Sequence, residues 1–71
     1  MASASELRGQ IEEVDRDVEN LRRTATDVRS DVGEEDDPAD RGALIQQADE
    51  LDGQVQDLLA RRADLVRQLE G

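Results

Sequence analysis

Few kinds of side chain along this 71-residue chain can do chemistry. Nineteen carboxylates stand against nine bases, all arginine, for a formal net charge of −10, and histidine, cysteine, tyrosine, tryptophan, phenylalanine and lysine do not occur. Without imidazole or thiolate there is no nitrogen or sulfur ligand for a metal. The hydroxyls of Ser3, Ser5, Thr24, Thr26 and Ser30 have no histidine or lysine to activate them as nucleophiles. Adjacent acids such as Glu12 and Glu13 point apart on a helix, while Glu13 and Asp17 share a solvated face. Neither pair has the apolar pocket that holds a carboxyl protonated for acid catalysis. No glycine-rich phosphate loop is present. The acidic run Glu34 to Asp37 lacks the alternating ligands of a calcium loop. The chain is therefore expected to be non-enzymatic, with no catalytic residue, no metal site and no cofactor.

The elements that would position any site follow from periodicity. The apolar fraction is 35% and aromatics are absent, too little for a globular core. A coiled coil needs only a narrow seam. The first half supplies one: Leu7, Ile11, Val14, Val18, Leu21, Ala25, Val28 and Val32, at alternating steps of four and three. The second half repeats it with Leu44, Ala48, Leu51, Val55, Leu58, Arg62, Leu65 and Leu69, one position being charged. Ser3 with Glu6 forms a capping box, so helix one is predicted over 4–32. Gly33 suits a left-handed helix end. Asp37 is an N-cap and Pro38 a first helical residue, so a turn over 33–37 leads into helix two over 38–70. Capping signals at both helix starts lead us to expect a self-contained hairpin over 1–71, the alternative being a stalk or oligomerisation piece of a longer protein. Short connections join antiparallel neighbours. The predicted fold is all-α, an antiparallel two-helix coiled-coil hairpin.

Register is set by flanking charge. Pairing Val32 with Leu44 at one end and Leu7 with Leu69 at the other matches every layer and puts Val14 against Arg62. It also sets Arg22 beside Asp52 and Asp17 beside Arg61, opposite in sign. Sliding by one heptad tightens the turn but sets Asp15 beside Asp52 and Asp31 beside Asp40, like-charged. The first register is expected, with the first turn of helix two overhanging helix one. Arg62 is read as an arginine whose stem covers the seam while its head reaches Asp15 or Asp17. Gly9, Gly42 and Gly53 fall on outer faces. Thr24, Thr26 and Ser30 weaken the end of helix one.

Helix two has more apolar surface than one seam can bury. Ile45, Leu59 and Val66 lie one position beyond it, with Asp52 interrupting the row, and widen a stripe that includes Ala48 and Val55. Contiguous exposed apolar surface marks an interaction site. A second copy docked helix two to helix two would make a homodimeric four-helix bundle, with Ile45, Ala48, Val55, Leu59, Arg62 and Val66 at the interface.

The run Leu7-Arg8-x-x-Ile11-Glu12-x-Val14-Asp15-x-x-Val18-x-x-Leu21 resembles the first helix of the all-helical chorismate mutases, as more loosely does Leu58-Leu59-Ala60-Arg61-Arg62-Ala63-Asp64-Leu65. That resemblance implies a later arginine and a lysine holding substrate carboxylates. Their positions fall here at Ala25 and Asp36, and a third helix is lacking. The resemblance is accordingly read as a shared heptad pattern.

These observations predict an acidic, homodimerising protein–protein interaction module. One alternative is a small adaptor or regulatory subunit binding a helix of another protein, with a basic face, through the helix-two stripe. Another is a small-anion sensor built around Arg62 inside the bundle. Nucleic acid is excluded for want of a basic patch, and a membrane role for want of an apolar span or a basic amphipathic face. Absence of cysteine fits a cytoplasmic location.

Overall fold

The computed structural model describes residues 2–71. It contains two helices, α1 (Ala4–Glu34) and α2 (Pro38–Glu70), folded against each other as an antiparallel hairpin with extents of 52 × 14 × 13 Å. The long extent matches the roughly 50 Å rise of a 33-residue helix, so the helices pack along their whole length. The α1 start forms as expected, with the Glu6 N–H donating to Ser3 Oγ at 3.1 Å. At α2 the Ala39 N–H donates to Asp37 Oδ1 at 2.9 Å and Pro38 opens the helix.

The end of α1 differs from expectation. The helix runs through Gly33 to Glu34, and Gly33 does not take a positive φ. Glycine's tolerance of the left-handed region is a preference, and here a different device ends the helix. Arg41 reaches back from the first turn of α2 and donates from Nε (3.2 Å) and Nη2 (2.6 Å) to the Glu35 carbonyl. The Glu35 side chain in turn accepts from the Asp37 N–H at 3.0 Å. A cation at a helix C-terminus also meets the negative end of the helix dipole. The linker shrinks to Glu35–Asp37.

Every seam position is buried or half-buried. Leu7, Val14, Val18, Ala25 and Val28 from α1 and Ala48, Val55 and Leu65 from α2 are the buried core, with Ile11, Leu21, Leu58, Leu59 and Leu69 packed around it. Arg62 Nε donates to Asp15 Oδ1 at 2.7 Å, which selects Asp15 over Asp17 as its acceptor. That bond fits the pairing of Val14 with Arg62. In the slid register Arg62 would face Leu7, eight residues and roughly 12 Å from Asp15.

One flanking pair differs. Asp52 pairs with Arg29 instead of Arg22. Helix side chains lean toward their own N-terminus. In an antiparallel pair, Arg29 and Asp52 therefore lean toward each other, whereas Arg22 leans away. Added Cβ atoms at Gly9, Gly42 and Gly53 would meet nothing within 4 Å, so these glycines lie on open faces and Gly53 serves no close helix approach. Among the described residues no helix is long and apolar enough to cross a membrane.

Candidate interaction surface

The seam divides the hairpin surface into two unlike faces. One carries a row of Arg8, Asp15, Arg22 and Arg29 on α1, each a heptad apart, beside Ile45, Asp52, Leu59 and Val66 on α2. Two shallow grooves follow this face. A groove of about 470 Å³ is lined by Asp15, Val18, Glu19, Arg22, Leu59 and Arg62. Another of about 280 Å³ is lined by Arg29, Val32, Ile45, Ala48 and Asp49. The opposite face is polar and acidic, with Gln10, Glu13, Asp17 and Arg61 along one groove and Asp31, Glu34 and Glu35 along another.

The six residues expected at an interface fall into three settings. Ile45 stands outside, 46% exposed, the one large apolar side chain so exposed among the described residues. Leu59 and Val66 are half-buried on the same face. Ala48 and Val55 lie buried between α1 and α2, where they contribute to the hairpin itself and present almost no surface to another chain. Arg62 is half-buried, with its guanidinium held by Asp15 and its side chain still 42% exposed.

Charges on this face are largely matched within the chain. Arg29 neutralises Asp52, the acid that interrupts the apolar row, and Arg62 and Asp15 neutralise each other. Glu19 pairs along its own helix with Arg23 at 3.0 Å. Arg22, beside Leu59, has no carboxylate partner among the described residues. The heptad spacing of Arg8, Arg22 and Arg29 already aligns them along one edge of α1, but which α2 residues that edge flanks follows only once the two helices are packed.

For bound chemistry the surface offers little geometry. Among the described residues no three acidic side chains gather closely enough to hold a metal ion, and no buried side-chain polar atom lacks a partner. Ala25, where the chorismate mutase resemblance would need an arginine, is 1% exposed in the seam. Asp36 lies in the linker. Compared with protein-family models, curated proteins and solved structures, the chain matches none.

Proposed function

We propose that this chain is a non-enzymatic interaction module that associates with itself through the face carrying Ile45, Leu59 and Val66. The observation behind the proposal is the position of these three side chains. They sit at heptad spacing on one face of α2, outside a seam already filled by α1, with Ile45 nearly half exposed. Covering such a row removes apolar surface from water, worth about 25 cal/mol per Å². It also offsets the shortfall of a 71-residue chain that buries only a narrow core. The neutralised pairs Arg29–Asp52 and Arg62–Asp15 lower the desolvation cost of covering that face. The resulting assembly would be a dimeric four-helix bundle. Its outer surface would be acidic, suited to a basic protein partner and unsuited to nucleic acid. The cysteine-free composition suits a reducing compartment, and the proposal places the module in the cytoplasm.

The adaptor reading uses the same face for a foreign helix, and the same observation supports it. Less supports Arg62 as an anion sensor, because its Nε already donates to Asp15. Light scattering across a concentration series separates the first two. The wild type is expected near twice the 7.9 kDa chain mass, and Leu59→Glu near the chain mass, because a charged side chain replaces an apolar one that the second copy covers. A wild type that stays monomeric at every concentration would sink self-association and leave the face to a foreign helix.

A further inference from the structure

The geometry points to a specific pairing: a head-to-tail twofold dimer, α2 across α2 and α1 across α1, with the linkers at opposite ends. This inference rests on the self-association proposed above. The occupant it commits to is a second copy, and the argument is charge and apolar complementarity.

A twofold axis crossing the middle of the covered face brings α1 against its own symmetry mate, running the other way. With the axis between Asn20 and Leu21, Arg22 lies opposite Glu19 of the second copy, and Arg29 opposite Glu12. Each pair occurs twice. Arg22, which has no carboxylate partner within the hairpin, thereby gains one. At the same height on α2 the axis passes between Val55 and Gln56, because the seam aligns Leu21 with Val55. Ile45 then covers Val66 of the second copy, Leu59 meets Asp52, whose charge Arg29 of its own chain holds, and Arg62 lies opposite Asp49. No like charges meet in this alignment. A shift of the second copy by seven residues one way sets Asp52 against itself, and the other way sets Asp15 against Glu19. Like charges in a covered contact oppose assembly.

The alternative symmetric packing turns the axis along the hairpin, so that both copies point the same way. It lays the apolar row of α2 over the charged row of α1, leaving Ile45 and Val66 without apolar partners. It also brings two copies of the run Glu34-Glu35-Asp36-Asp37 with Asp40 together at one end. The head-to-tail dimer holds these runs near opposite ends, about 45 Å apart, the rise of some 31 helical residues. The face presented has a footprint of roughly 700 Å² given extents of 52 and 14 Å, close to the ~800 Å² per partner of stable interfaces.

The chain has no cysteine, so Asp40→Cys offers a single site for a nitroxide label, in the exposed first turn of α2. Light scattering on the labelled full chain first establishes its mass, and pulsed dipolar spectroscopy then gives the label-to-label distance. A dimer with labels about 45 Å apart, the rise of some 31 helical residues, is the expected result. A dimer with labels within about 20 Å, two helix diameters, overturns the head-to-tail pairing while leaving self-association standing. A monomer, in the labelled chain and the wild type alike, overturns both.

Discussion

Arg62 occupies a position where every other member of the α2 seam is aliphatic. Its stem lies along the apolar layer and its head is held by Asp15 at 2.7 Å, with the two side chains 42% and 50% exposed. Ion pairs this open to water contribute about 0.2–1 kcal/mol. Within a single hairpin, the aliphatic side chain that the slot could hold would bury more, and Asp15 left alone would remain solvated. Arg62→Leu is therefore expected to stabilise the monomeric hairpin by about 1 kcal/mol, read from the midpoint of urea or thermal unfolding at concentrations too low for self-association. A lower midpoint would show that the pair is worth more than its exposure suggests. What the arginine supplies is alignment, since only one register brings it to Asp15. The sequence showed Arg62 as the odd member of the seam and narrowed its acceptor to two acids. It could not choose between them, because that depends on how far side chains lean along each helix. The same lean explains why Arg29 rather than Arg22 holds Asp52.

Both helices were legible from the four-three spacing, and their starts from Ser3 and from Asp37-Pro38. Periodicity and N-capping are local properties, carried by residues within a few positions of one another. The end of α1 was not legible in that way. The carbonyl of Glu35, the residue that caps it, is held by Arg41, which belongs to the other helix. A contact between elements leaves no mark in the local pattern, so the glycine one residue before the true end looked like the stop. Helix α2 also carries Gly53 mid-span with open space around it. Gly53→Ala is expected to add up to about 1 kcal/mol of stability, the difference in helix propensity. No gain in the unfolding midpoint would mean that helix formation at this point is already saturated by packing. Thr24 and Thr26 each donate their hydroxyl to the carbonyl four residues back, at 3.0 and 2.9 Å. Such bonds divert the backbone acceptor and mark the stretch of α1 with least intrinsic helix preference.

For the molecule as a whole, the unequal faces matter more than any single contact. The apolar row was readable in the sequence as excess hydrophobicity on helix two. That Ala48 and Val55 are spent inside the hairpin while Ile45 stays outside follows from the direction of α1, a property of the assembled pair. One feature of the fold, the proline that opens α2 after a three-residue linker, bears on which assemblies the chain can enter. Pro38 has no N–H to bond to the Glu34 carbonyl, and its ring would crowd that carbonyl if the helix ran on. It therefore blocks the linker from straightening into one rod of about 100 Å joining α1 to α2. Such a rod could satisfy the same seam by exchanging helices with a second chain, since the layers that pair within one hairpin would pair equally well between two. Pro38→Ala is expected to admit this domain-swapped dimer at high concentration, visible in small-angle scattering as a maximum dimension near 100 Å in place of about 52 Å. An unchanged dimension would put the barrier to exchange in the Arg41 cap instead. Without a barrier, the four-three repeat that folds one chain would serve as readily to tangle two.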